Sequence, residues 1–180
     1  MKVIETIYLL FYIKILLYIY IKMSNRICAI SVLHHNADNI SGVIRFTQNI
    51  KTKRVRIAFN IDGLSDGKHG FHIHEYGNLT DGCSSACAHF NPFNENHGGR
   101  KSIHRHVGDL GNIESKDGRC EGYFYDKLIS LDRNNICSII GRSVIIHDKG
   151  DDLGMGGDKS SLKTGNAGRR IACGVIGLAS

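Results

Sequence analysis

The unusual count in this 180-residue chain is histidine, of which it has 10. Histidine is the commonest protein metal ligand and the side chain that exchanges protons near neutral pH. Spacing narrows the chemistry. His72 and His74 sit two apart in the alternating run 69–75. On a strand that puts both imidazoles on one face and Phe71 and Ile73 on the other. One face can then pack while the other holds a metal, although a His-x-His pair is a weak signal by itself. His89 and His97 lie in a long stretch without periodicity. His106 and Asp109 stand three apart where that stretch ends, and His147 closes the apolar run 142–147.

Positioning these groups falls to short strands. Residues 27–34, 41–48, 53–61, 69–75, 108–115, 119–125, 142–147 and 171–178 are rich in β-branched and alternating apolar residues, with turn signals such as Asp62-Gly63 between several of them. After residue 23 no segment has a convincing helical period. The pattern predicts an all-β fold: an eight-stranded antiparallel Greek-key β-sandwich or barrel with two long loops, about 76–106 and 148–169. A structureless loop of that length in a compact domain is either functional or a sign of a wrong element assignment.

With 42% hydrophobic and 22% charged residues, the chain can bury a core and is not a disordered polymer; 21 glycines against one proline exclude collagen-like and proline-rich classes. Six cysteines allow one or two bridges or a metal site. The formal charge of +6 is compatible with a solvated basic surface or with attraction of an anion, a membrane face or nucleic acid. No block of five like charges occurs. Lys51, Lys53, Arg54 and Arg56 alternate with Val55 and Ile57, so 53–61 reads as a solvated sheet face and no nucleic-acid partner is expected.

Residues 1–23 differ from the rest. Between Ile7 and Ile21 only Lys14 is charged. That is shorter than the ~20 apolar residues needed to span a bilayer and nearer the apolar region of a signal peptide. Glu5 offsets Lys2, and no small-residue cleavage site follows. Three readings stand: an uncleaved signal anchor, a poor signal peptide, or an extension upstream of a true start at Met23. A start at Met23 favours the cytoplasm; a working signal implies secretion or membrane anchoring. The domain boundary is set at 1–23 against 24–180.

The order of motifs then becomes specific. Gly70-Phe71-His72-Ile73-His74-Glu75 is followed by Gly82-Cys83, His89-Phe90-Asn91-Pro92, His97-Gly98-Gly99 and Arg105-His106-Val107-Gly108-Asp109. Later come Gly141-Arg142, His147, Asp151-Asp152-Leu153-Gly154, Lys163-Thr164-Gly165-Asn166-Ala167-Gly168, Arg170 and Ala172-Cys173-Gly174. Across residues 27–180 this resembles the copper,zinc superoxide dismutase family. The resemblance implies one copper and one zinc per chain. Copper would take His72, His74, His89 and His147; zinc would take His89, His97, His106 and Asp109, with His89 shared as a bridging imidazolate. All-imidazole ligation suits copper, and three nitrogens with one carboxylate suit a closed zinc site.

The same resemblance makes Asp151 the carboxylate linking His72 and His97, Arg170 the anion-guiding arginine, and Cys83–Cys173 an intrasubunit disulfide. It implies disproportionation of superoxide to O2 and H2O2, with His89 and Arg170 as the catalytic pair. It further implies a homodimer and a copper-delivery chaperone as partner. The alternative is a catalytically silent metal-binding homologue or a decoy for the copper partner. Such relatives lose a copper ligand or the arginine; here all seven ligand positions and Arg170 are present.

Two departures from the family pattern stand out. Asp158-Lys159-Ser160-Ser161 puts a lysine where acidic residues are usual, which implies stronger or less selective steering. Arg100 follows His97-Gly98-Gly99, and Pro92 is the only proline, which implies a more mobile loop and looser zinc. Cys28 is expected buried in its strand, His69 structural, and His34, His35 and His104 on the surface. Cys87 lies four residues from Cys83, so a wrong disulfide partner is open, and Cys87, Cys120 and Cys137 have no evident role.

Overall fold

In the computed structural model, which describes Tyr8 and residues 11–16, 25–33 and 39–180, the alternating segments become strands. They are β1 (Arg26–Leu33), β2 (Ser41–Asn49), β3 (Val55–Asp62), β4 (Gly67–His74), β5 (Thr80–Cys83), β6 (Asp109–Ser115), β7 (Arg119–Asp126), β8 (Ser143–His147) and β9 (Arg170–Ala179). All eight expected strands are present. The four-residue β5 is an addition inside the first long loop.

The eight-stranded sheet runs in the order β6-β4-β8-β9-β1-β2-β3-β7, with antiparallel pairing throughout. Strand β9 joins the two halves. Its first part pairs with β8 (Ile145↔Cys173) and its last part with β1 (Ser31↔Ile176). The two edge strands, β6 and β7, are consecutive in sequence. Lys116 and Arg119 exchange both backbone bonds at 3.0 Å, across Asp117 and Gly118 at φ 52° and 76°. A two-residue hairpin of that kind needs positive φ at both central positions. The sheet thereby curls into a nearly closed barrel.

Inside lie Ile44, Phe46, Ile57, Ile61, Phe71, Ile73, Val144, Ile146 and Ile176, each without measurable exposure. Phe71 meets Phe59 and Phe124 at centroid distances of 6.2 and 6.1 Å. Burying an aliphatic or aromatic side chain of this size contributes about 1.5–3 kcal/mol. The second long loop contains one helical turn, Ser161–Thr164; the Asp158 carboxylate accepts hydrogen bonds from the backbone N–H of Ser160 and Ser161.

Cys83 and Cys173 are disulfide-bonded, 90 residues apart in sequence, so Cys87 is not the partner and its thiol is free and exposed. Cys120 and Cys137 are buried free thiols; burial pushes the Cys120 thiol up to about 11. Cys28 corrects the expectation made for it. It is only half-buried, because it faces Thr47 on the outward side of β1 while Ala29 and Leu33 turn inward. His69 is buried, with its two ring nitrogens 2.8 Å from the His147 carbonyl and 2.9 Å from the Ser65 carbonyl. The exposed His104 pairs with Glu95 at 3.2 Å.

Residues 11–16 are helical and exposed. Among the described residues no helix is long and apolar enough to cross a membrane. The rest of segment 1–23, on which the signal and start-site readings fall, and His34 and His35 lie outside the described residues.

Candidate metal centre

Strand β4 supplies the first two imidazoles. As the alternation requires, Phe71 and Ile73 enter the core while His72 and His74 take the other face. That face is not open to water: His72 is fully buried and His74 nearly so, because both long loops fold over it. The backbone of Ile73 is stitched to the first loop. Its N–H donates to the Gly108 carbonyl and its carbonyl accepts from Phe90, both at 2.9 Å. A Cβ at position 108 would collide with the Ile73 carbonyl, so only glycine allows this approach. The stitching brings His89, His106 and Asp109 beside β4. Pairing is irregular beside the site in two places, between Gly70 and His72 and between Ile146 and His147. Such bulges re-aim side chains.

The result is two groups of potential ligands that share one residue. His72, His74, His89 and His147 form one; His89, His97, His106 and Asp109 form the other. Within each, the ligand atoms lie within 4.8 Å of one another and every residue is buried. Ring centroids are 4.1 Å apart for His72–His89 and 4.9 Å for both His72–His147 and His74–His89.

The free nitrogens decide what the first group can hold. His72 donates through Nε2 to Asp151 at 2.8 Å. His74 donates through Nδ1 to the Cys87 carbonyl at 2.8 Å, and His147 through Nδ1 to the Gly168 carbonyl at 3.2 Å. Each ring is thus tethered at one nitrogen, and the other nitrogen of each, together with His89 Nε2, is buried without a partner. An unsatisfied buried polar atom costs about 1–3 kcal/mol. Four such atoms facing one another fit a cation.

Protonation agrees with that fit. Burial, with the neighbouring His89 ring, pushes His72 down to about 3. Burial brings His147 down to about 4 and takes His74 and His89 below their ordinary value. All four therefore offer lone pairs at neutral pH.

In the second group three ring nitrogens surround one carboxylate oxygen. Asp109 Oδ1 lies 2.8 Å from His89 Nδ1 and 3.0 Å from both His97 Nδ1 and His106 Nδ1. The His97 contact is off hydrogen-bond line, so that nitrogen too is left without a bonded partner. His89 Nδ1 and His106 Nδ1 are 3.5 Å apart. A tetrahedral zinc with bonds near 2.0 Å separates its ligand atoms by about 3.3 Å, which these spacings bracket. Although burial works to raise it, the three imidazoles hold Asp109 well below the usual carboxylate range.

Asp151 couples the groups: Oδ2 accepts from His72 at 2.8 Å and Oδ1 from His97 Nε2 at 2.8 Å. It too is held below the usual range against burial by those two rings. His97 sits between two carboxylates, and they overcome its burial to raise it to about 9.

Arg170 reaches over the first group. It donates to the Cys83, Ser84 and Cys87 carbonyls at 2.8, 3.1 and 2.6 Å. A guanidinium has five N–H donors, so some remain for a ligand. It lines a cavity of about 790 Å³ with His74, His89, His147, Lys163 and Thr164. Cys83–Cys173 ties the turn that supplies those carbonyls to β9.

Three contributors were not singled out in the sequence. Lys163 and Thr164 line the cavity, and the signal was their place in the Lys-Thr-Gly-Asn string. Arg105 is 5% exposed and pairs with buried Asp126. Its Nη1 donates to the carbonyls of His106, Val107 and Asp109 at 3.2, 3.3 and 2.7 Å, so it shapes the backbone that carries two members of the second group. Lys159, by contrast, is exposed and is not part of the cavity lining.

Residues 40–176 match the family model described as copper/zinc superoxide dismutase (SODC). Among curated proteins, Superoxide dismutase [Cu-Zn] of Paramecium bursaria Chlorella virus 1 is 50% identical over 161 residues, covering 88% of this chain and 82% of that protein. Superoxide dismutase [Cu-Zn] A of Xenopus laevis is 53% identical over 150 residues, covering 83% and 97%. Superoxide dismutase [Cu-Zn] 5 of Dictyostelium discoideum is 53% identical over 142 residues, covering 78% and 92%. With a family match across most of the chain, relatives at this identity, and a nearly closed barrel carrying two coupled histidine clusters, the chain belongs to the copper/zinc superoxide dismutase family.

Proposed function

We propose that this chain is a superoxide dismutase that holds one copper on His72, His74, His89 and His147, and one zinc on His89, His97, His106 and Asp109. The observation that carries the reading is the set of four buried, unpaired imidazole nitrogens facing one another. Once bound, copper supplies the one-electron couple that turns two superoxide anions into O2 and H2O2, while zinc supplies a fixed charge.

The chain's own residues do the rest. Asp151, Cys87 and Gly168 fix which nitrogen of His72, His74 and His147 points inward. Outer partners of this kind set ring orientation and ligand strength. His89 is the shared ring: its Nδ1 faces Asp109 and its Nε2 faces the copper group. Nε2, buried and without a partner, is the atom that would hold one of the two protons H2O2 requires, the other coming from water. Arg170, fixed by three carbonyls, presents its spare donors and permanent charge to a small anion in the cavity. Lys163 adds to that field.

Under the same reading the chain works as a homodimer and receives copper from a delivery partner. The exposed apolar side chains of Val32 on β1 and of Val175 and Leu178 on the neighbouring β9 support self-association. The decisive comparison is stopped-flow superoxide decay with the metal-loaded chain and with His147→Ala. The reading expects fast decay for the first, and for the variant a loss of at least a hundredfold with zinc retained. Equal rates would overturn it.

A further inference from the structure

Away from the metal cavity, three adjoining grooves wrap one side of the barrel. The first, about 480 Å³, is lined by Lys68, Arg100 and Lys101 among others. The second, about 670 Å³, shares Arg100, Lys101 and Ser102 with the first and adds Arg54 and Lys127. The third, about 520 Å³, shares Arg54 and Tyr125 with the second and adds Arg26 and Arg56. The shared residues make them one continuous track. Among the described residues the single carboxylate along it is Asp126, which is buried and already paired with Arg105. Among the described residues, Arg26, Arg54, Arg56, Arg100, Lys68, Lys101 and Lys127 form no ion pair.

Strand register builds the track. Thr47, Arg56 and Tyr125 lie side by side on β2, β3 and β7, all on the face turned away from the core. Aromatic rings then fix the cations. Arg54 lies 4.7 Å over Tyr125, Arg56 4.4 Å over Tyr123, and Arg100 4.0 Å over Phe124. Tyr123 and Tyr125 remain 61% and 47% exposed. Like charges gathered without partners repel one another, so a face that only meets water gains nothing from this arrangement. The sequence pattern alone suggested a solvated strand. What it could not show is that loop 99–102 and Tyr125 extend that strand into a track, with the exposed Tyr123 beside it under Arg56.

We propose that this track is a docking surface for single-stranded nucleic acid, distinct from the metal cavity. Guanidiniums and ammoniums would follow the phosphates. The exposed tyrosine rings, with arginine guanidiniums lying over them, are faces on which bases can stack. That combination of basic groove and interleaved aromatics is how single strands are held without sequence preference. A sulfated polysaccharide would use the cations and leave the rings idle.

The test is fluorescence anisotropy of a labelled 12-nucleotide single strand with the full copper- and zinc-loaded chain, from 50 to 200 mM salt. Each phosphate contact contributes a slope of about −0.7 in log K against log salt. Arg54→Glu/Arg56→Glu is expected to weaken binding on the order of 50-fold at 50 mM and to flatten the slope by about 1.4. Arg119→Glu/Arg133→Glu, with the same charge change off the track, is expected to stay within about threefold. Tyr123→Ala/Tyr125→Ala is expected to lose about tenfold for the strand and nothing for a heparin fragment. Arg54→Gln/Arg56→Gln repeats the first comparison with a milder change, and superoxide decay at 150 mM salt checks that each variant is folded. The proposal is overturned by absence of binding at 50 mM salt, by equal losses in the on-track and off-track pairs, or by a heparin fragment competing fully while the tyrosine variant binds the strand normally.

Discussion

Gly165 is where the backbone touches the link between the two metal groups. It caps the helical turn Ser161–Thr164 at φ 64°, ψ 20°. A Cβ there would strike Asp151 Oδ1 and lie 2.5 Å from His97 Nε2, far inside van der Waals contact. Gly165→Ala therefore carries two costs. Left-handed backbone in a non-glycine residue costs about 1–2 kcal/mol. Displacing Asp151 also weakens its hydrogen bonds to His72 and His97, each worth about 1.5–3 kcal/mol for a charged partner. The sum is about 4 kcal/mol or more, against about 1 kcal/mol for Gly157→Ala, which has φ 79° but nothing within 4 Å. Urea unfolding of the metal-free chain measures the difference. Zinc competition with a chelator should show a 10–100-fold loss of affinity for Gly165→Ala alone, as expected when an outer-shell partner is lost. If the two variants unfold and bind zinc alike, Asp151 does not couple the groups.

Other outcomes follow from the same geometry. Arg105→Met leaves Asp126 buried without its cation, which should cost about 3–5 kcal/mol in urea unfolding and loosen zinc; a change under about 1 kcal/mol would show that the carbonyls of 106–109 hold their own positions. Arg170→Gln should lower kcat/KM about tenfold with metal content unchanged, and lessen its dependence on salt. In the metal-free chain, His72 near 3 and His147 near 4 bind fewer protons folded than unfolded once pH drops below 6.5. Stability should therefore fall from pH 6.5 towards about 4, by about 1.4 kcal/mol per pH unit for each of the two, with His74 and His89, also lowered by burial, adding in the same direction. His97, raised to about 9, contributes fully below 6.5 and is lost as pH rises through 9, so it adds no slope in the acid window. Urea titrations across that range check the sign.

The strands were legible because alternation is a short-range rule; beyond the His72/His74 pair, the candidate ligand set followed from the family resemblance, since His89, His97 and His147 lie far from β4 in sequence. Alternation put Phe71 and Ile73 opposite His72 and His74, and the structure keeps that division. What alternation could not tell was that the polar face would also be buried, since the loops that cover it have no period. β5 was missed because Thr-Asp-Gly-Cys reads as a turn. Arg105 and Asp126 were missed because they are 21 residues apart and meet only when the first loop folds onto β7. Arg100, after two glycines, suggests a mobile loop in the sequence; its side chain lies on the Phe124 ring, a contact between that loop and β7 that no local pattern reveals. Cys28 was misplaced because alternation identifies two faces without saying which one is inward.

Four buried imidazoles and their neighbouring cluster are proposed to hold a working copper and zinc pair. Metal content and superoxide dismutation measured on one copper- and zinc-loaded sample test that proposal most directly. About one copper and one zinc per chain are expected, with dismutation near the diffusional ceiling of about 10⁸–10⁹ M⁻¹s⁻¹. Zinc without copper, or both metals with no dismutation, would contradict it.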